Sequence, residues 1–144
     1  MPEIVAIATD HAGFELKAAL IGEIAALGLT PLDLGTDSGQ SVDYPDIANA
    51  VARALDEKKA QRAVLMCGSG IGMSIAANRH PIVRAALCHD ALTARLAREH
   101  NDANVLVMGA RLIGPETAKD CLKIFLSTPF DGGERHRRRV AKLA

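Results

Sequence analysis

Five short apolar runs punctuate the chain, Ile4 to Ala8, Pro31 to Leu34, Ala63 to Met66, Val83 to Leu87 and Val105 to Met108, and a longer stretch with helical spacing follows each. These stretches fall near 13–27, 45–59, 71–79, 91–100 and 115–127, so a βα unit is repeated five times. The runs are nearly continuous rather than alternating, which is the pattern of strands covered on both faces and predicts a parallel sheet between two helical layers. Right-handed crossovers then give a five-stranded, doubly wound α/β sheet of Rossmann or flavodoxin-like type, with order 2-1-3-4-5 and a C-terminal helix. Gly28 stops the first helix and Pro31 prevents its continuation.

Composition narrows this picture. A chain of 144 residues, 49% of them hydrophobic, suits one domain over 1–144, burying ~68–70% of the surface its unfolded form exposes. The apolar share comes from Ala, Ile, Leu and Val, with three Phe, one Tyr and no Trp, which suits close helix-on-sheet packing and argues against base-stacking platforms. A net charge of zero courts no polyanion. Cysteines at 67, 88 and 121 match no Cys-x-x-Cys metal or redox spacing, so free thiols in a reducing cytoplasm are expected and zinc is not. The first residues carry no charged leader with an apolar core, and no run approaches the ~20 apolar residues a membrane span needs.

The chemistry gathers where the strands end. Thr9-Asp10-His11 follows the first run, Gly35-Thr36-Asp37-Ser38 the second, Cys67-Gly68-Ser69-Gly70 the third, His89-Asp90 the fourth and Gly109-Ala110-Arg111 the fifth. Doubly wound sheets bind ligands beyond these carboxyl ends, at the switch in winding direction, here between strands one and three. In Cys67-Gly-Ser-Gly-Ile-Gly72, glycines at 68, 70 and 72 let backbone N–H groups converge on an anion at a helix start. The same field favours the anion of Cys67, making it a candidate base or nucleophile, whereas a cysteine closing a strand can also be a small core residue. A dinucleotide fingerprint fails on spacing, because its third glycine would fall on Met73 and the loop follows the third strand.

Other candidates carry ordinary readings beside the chemical ones. Asp10 suits a helix cap or a proton carrier, and His11 at a helix start can meet phosphate. His100 and Asn101 close a helix, where a cation suits the dipole and Asn a left-handed cap; His100 is equally a candidate acid or base. Arg135-His-Arg-Arg-Arg139 reads as a solvated tail, yet if helical it puts Arg135 and Arg139 at i and i+4, spaced to clamp one phosphate, with Arg111 as a third cation. Cys88 and Cys121 read as core.

Ordered blocks across nearly the whole chain resemble the type B ribose-5-phosphate isomerases and their galactose-6-phosphate and allose-6-phosphate relatives. They are Asp10-His-Ala-Gly-Phe-Glu-Leu-Lys17, Gly35 to Ser38, Val42-Asp-Tyr-Pro45, Cys67 to Gly72 with Ile75-Ala-Ala-Asn78, Arg98-Glu-His-Asn-Asp-Ala-Asn-Val105, Gly109-Ala-Arg111, and Arg135-His136 with Arg139-Val140. Ser69 stands where many members carry threonine and keeps the hydroxyl, and Glu134 is an additional residue ahead of Arg135.

The resemblance implies a cofactor-free, metal-free aldose–ketose isomerase of a phosphorylated sugar, a homodimer or homotetramer whose active sites are shared between subunits. It implies Cys67 as the base between C1 and C2, Ser69 and the backbone of Gly68, Gly70, Ile71 and Gly72 as holders of the enediolate oxygens, Asp10 as proton carrier between O1 and O2, and His100 as ring opener. Tyr44 and Asn101 correspond to sugar contacts, and His11, Arg111, Arg135 and Arg139 to phosphate contacts. Met73 stands where another branch carries a glutamate base, so the chain resembles the cysteine branch. Ribose 5-phosphate is the expected substrate, a hexose 6-phosphate the close variant. A cysteine hydrolase pairing Cys67 with His100, or a non-catalytic phosphosugar-binding module, are the readings from other classes.

Overall fold

Three apolar strands with no polar interruption sit at the centre of a five-stranded parallel sheet: β1 (Ile4–Thr9), β3 (Arg62–Cys67) and β5 (Val105–Gly109). The computed structural model describes residues 1–36 and 38–143; Asp37 lies outside them. Strands β2 (Thr30–Asp33) and β4 (Ala85–Leu87) form the edges, and the order is β2-β1-β3-β5-β4. The sheet class is as expected, but the order 2-1-3-4-5 is corrected, because β5 lies inside β4. Burial explains the exchange: every residue of β5 is buried, as a strand with two neighbours requires, whereas β4 is three residues long and leaves Leu87 37% exposed.

Alternating side chains sort into two cores. Val5, Ile7, Val64, Met66, Leu106 and Met108 face one layer, packing with α1 (Phe14–Ala26), α4 (Ala91–Asn101) and α5 (Pro115–Ser127). Ala6, Ala8, Leu65, Cys67, Val105 and Val107 face the other, covered by α2 (Tyr44–Asp56) and α3 (Ile71–Ala77). A last helix, α6 (Glu134–Ala141), contacts α4, and Glu134 occupies its first turn, where a carboxylate suits the dipole.

Several ends differ from the sequence reading for local reasons. A 3-10 turn, His11–Gly13, precedes α1 because Asp10 caps it, its carboxylate accepting from Ala12 N at 2.9 Å. The fourth strand loses Val83 and Arg84, since Arg84 N donates to the Asn104 side chain at 2.7 Å instead of a strand neighbour. The left-handed cap of α4 is Asp102, at φ 45°, rather than Asn101, which stays helical; Arg98 and Arg84 bind its carboxylate at 3.0 and 3.3 Å. Helix α3 ends at Ala77, short of 79, where the Asn78 side chain donates to Ala85 O and accepts from Ala85 N.

Candidate functional site

The switch point between β1 and β3 opens into a cleft of about 680 Å³, within the usual range for small-molecule sites, ~300–1,000 Å³. Asp10, His11, Tyr44, Cys67, Gly68, Ser69, Ile71, Gly72 and Arg111 line it, together with Ala12, Ile75 and Leu112. Cys67 is the last residue of β3 and is 6% exposed, a largely shielded residue at the border of the cleft. Gly70 N donates to Cys67 Sγ at 3.1 Å, and Ser69 Oγ accepts from Ile71 N at 3.2 Å. The turn therefore engages two of its amides internally, and the N–H groups of Ser69 and Gly72 have no protein acceptor among the described residues.

Two glycines carry the geometry. Gly70 takes φ +80°, and a Cβ there would stand 2.5 Å from Leu87 Cδ1 and 3.0 Å from the Met108 carbonyl carbon. At Gly72 a Cβ would stand 2.5 Å from Tyr44 Cζ and 2.7 Å from its hydroxyl, so the phenol lies close against bare backbone. Arg111 crosses Gly68 in the same way, its Nη1 lying 3.3 Å from a Cβ built there. Met73 is fully buried in the α2–α3 core, where a carboxylate would be stranded.

Asp10 is 6% exposed and both caps the 3-10 turn and borders the cleft. His11 Nδ1 accepts from Val42 N at 3.3 Å, which fixes the ring's tautomer and ties the segment before Tyr44 to the end of β1. Asp10, His11, Arg111 and Tyr44 thus surround a thiol and a bare-backbone turn.

His100, Asn101, Arg135 and Arg139 do not join this group within one chain. Helix α4 runs back from the carboxyl end of β4 to the amino end of β5, so His100 and Asn101 end beside Ala103 and Asn104. The length of β5, roughly 13 Å at ~3.3 Å per residue, separates that edge from the cleft. Asn101 borders a second hollow, about 430 Å³, with Asn78, Arg84, Ala103 and Leu143. Residues Glu134–Ala141 are helical as the clamp reading requires, and Arg135 and Arg139 are exposed one turn apart. Cys67 and His100 therefore form no intrachain nucleophile–base pair.

Sequence reasoning assigned no role to two positioning side chains, Lys17 and His89. Lys17, 4% exposed, binds Asp33 Oδ1 at 2.9 Å and the Thr36 carbonyl at 2.6 Å, anchoring the segment beyond β2. The signal was present: Gly13, Lys17, Leu20 and Ile24 share the buried stripe of the helix, where an unpaired lysine has no place. His89 Nε2 accepts from Gly109 N at 3.2 Å and so steadies the residue whose Cα faces Ser69.

The other thiols are buried and inert by comparison. Burial pushes both Cys88 and Cys121 up to about 11, with nearby Asp90 adding to the shift. Asp90 caps α4, and hydrogen bonds from the Thr93 backbone and hydroxyl hold its carboxyl below the ordinary range. Among the described residues no three His, Cys, Asp or Glu side chains converge as metal ligands would, and no helix is long and apolar enough to cross a membrane.

A doubly wound α/β domain with a thiol and a glycine turn at its switch point presents the strand-end cleft in which such folds hold small molecules. The family model described as Ribose/Galactose Isomerase matches residues 5–143. A solved ribose 5-phosphate isomerase from Thermotoga maritima superposes with a TM-score of 0.93 at 51% identity, covering 98% of this chain and 97% of that one. Ribose-5-phosphate isomerase B of Escherichia coli is 40% identical over 139 residues, 96% of this chain and 93% of its own. D-erythrulose-4-phosphate isomerase of Pectobacterium atrosepticum is 43% identical over 130 residues, 90% and 86% of the two chains. The chain belongs to the ribose/galactose isomerase family.

Proposed function

We propose that this protein interconverts D-ribose 5-phosphate and D-ribulose 5-phosphate through an enediolate, with Cys67 as the base. The observation that carries this reading is Cys67 at the border of the cleft, flanked by Ser69 and Gly72 N–H groups free to donate to an oxyanion and by His11 and Arg111 on the same rim. Family membership and the activities named for the Thermotoga maritima and Escherichia coli relatives support it.

In the open aldose, Cys67 removes the C2 proton, the electron pair forms C1=C2 and the carbonyl electrons move to O1. The fixed amides meet that charge, each such donor contributing roughly 2.7–4 kcal/mol to the barrier, while Gly70 N–H gives the sulfur anion a charge-assisted partner. Asp10 passes the proton between O2 and O1, Cys67 returns its proton to C1, and the ketone stands at C2. No atom or electron is gained or lost. Tyr44 and Ile71 shape the sugar's slot, and phosphate bound away from the reacting carbons fixes its orientation.

His100, Asn101, Arg135 and Arg139 serve a neighbouring copy's cleft in this reading. His100 gives a proton to the furanose ring oxygen as C1–O4 breaks, while the O1 hydroxyl proton passes to bulk water, from which His100 is reprotonated, and C1=O1 forms. Supporting a second copy over a cleft are the exposed apolar side chains at its rim: Ile71, Ile75 and Leu112. A homodimer or homotetramer follows, cytoplasmic, with no cofactor, metal, membrane or nucleic acid required.

The deciding experiment follows pentose and hexose phosphates by NMR in D2O, watching deuterium enter beside the carbonyl, for the native protein and Cys67→Ala. Removing the base should lower turnover by ~10²–10⁴-fold; an alanine variant at full rate overturns the reading. Faster turnover of allose 6-phosphate or galactose 6-phosphate would move the substrate to the hexoses. A covalent acyl adduct on Cys67 would mark a hydrolase, and thermal stabilisation by phosphosugars without turnover a binding module.

A further inference from the structure

The rings of His100 and His136 stack in parallel, their centroids 4.5 Å apart and their planes within 9°. We propose that His136 is the positioning residue for His100: the buried ring on α6 fixes the imidazole plane that the exposed end of α4 could not hold alone. The inference rests on the reading of His100 as ring opener and adds the group that orients it.

The two rings differ in freedom. His100 is exposed in the last turn of α4, where a side chain with two rotatable bonds would otherwise sample several rotamers. His136 is 8% exposed, and Asp131 Oδ2 stands 3.7 Å from its Nε2 as the polar partner of the buried ring. Everything behind His136 is pinned to α4. Asp131 N donates to Glu99 O at 3.1 Å, and Arg98 reaches Thr128 O at 3.1 Å, Ala103 O at 2.6 Å and Asp102 Oδ1 at 3.0 Å. The residue before His100 and the one before that are thus both tied to the segment that carries His136.

A proton must reach the ring oxygen as C1–O4 breaks, so the direction of the imidazole N–H decides how often an encounter is productive. A stacked partner restricts rotation about the ring's last bond without occupying either nitrogen. Both nitrogens stay available for proton transfer, which a hydrogen bond from His136 would not permit. The sequence assigned no role to His136, which stands buried among the exposed Arg135, Arg137, Arg138 and Arg139.

Two variants that fill the same slot separate ring stacking from bulk. His136→Gln keeps a polar end for Asp131 and removes the ring; His136→Phe keeps a stackable ring. With ribose 5-phosphate as substrate, His136→Gln should lose about tenfold in kcat with KM within about twofold, a fraction of the ~10²–10⁴ a whole acid–base group supplies. His136→Phe should recover most of the loss. In NMR spectra the His100 Hε1 resonance should move in His136→Gln, through loss of the neighbouring ring current, and in His136→Phe should stay displaced from the His136→Gln position in the same direction as in the native protein. A native kcat in His136→Gln, equal loss in both variants, a rise in KM alone, or an unmoved His100 resonance each overturns the proposal. His100→Asn at full kcat would instead overturn the ring-opening reading, so the two failures are distinct.

Discussion

Gly70 N–H donates to Cys67 Sγ across 3.1 Å, and immediately after that contact a backbone φ of +80° turns the chain into α3. Strand β3 delivers the sulfur, and the left-handed turn folds the next amides back over it. Replacing Gly70 by Ala sets a Cβ 2.5 Å from Leu87 Cδ1 in a conformation that side chains resist. A stability loss of ~1–3 kcal/mol is expected, together with a fall in turnover of about 10²-fold from misplaced donors. Urea denaturation and isomerase assays on the purified variant check both; native turnover would show that the turn does not position the base.

Gly72→Ala separates function from stability. Alanine favours the helix by ~0.8–1.0 kcal/mol over glycine, and the atoms it meets are the far end of the flexible Tyr44 side chain, 39% exposed. The variant should melt at or above the native temperature yet bind substrate more weakly, because the phenol is displaced from the cleft. Calorimetry and KM measurements test this; a destabilised variant with native KM would contradict it.

Cys88 and Cys121 hold their protons to about 11, against an ordinary 9.0, because burial disfavours the thiolate. Iodoacetamide at pH 8 should therefore label Cys67 in the folded protein, and the other two only after unfolding, as peptide mass mapping would reveal. The same shift gives an alkaline limit. Between about pH 9 and 11 the unfolded chain releases protons that the folded one retains, so folding stability present below pH 9 is lost as pH rises, roughly 3 kcal/mol per thiol at most. Cys88→Ala should flatten that slope in denaturation curves taken across the window.

The separation of His100 from Cys67 predicts complementation. Cys67→Ala and His100→Asn are each expected to be nearly inactive alone, but a mixed dimer contains one site with both native residues. Equal amounts, unfolded and refolded together, should regain about a quarter of native activity, since half the dimers are mixed and half of their sites intact. No recovery, with mixed dimers demonstrated by mass spectrometry, would mean that His100 acts within its own chain.

The sequence by itself determined the parallel α/β class, the switch-point location of the cleft and the identity of its thiol. Each follows from local information: period, glycine placement and the residue types that end strands. Continuous apolar runs specify burial on both faces, and the glycines of Cys67 to Gly72 specify a turn wherever the rest of the chain goes. Local patterns do not encode which strand lies beside which, so β5 entered between β3 and β4 only because its fully apolar face needed two neighbours and the short, half-exposed β4 could end the sheet. Tertiary packing likewise decided that Lys17 anchors Asp33 and Thr36, and that His100 lies beside His136 and a strand's length from Cys67. Those relations join residues distant in the chain, and their geometry exists only once the layers have closed.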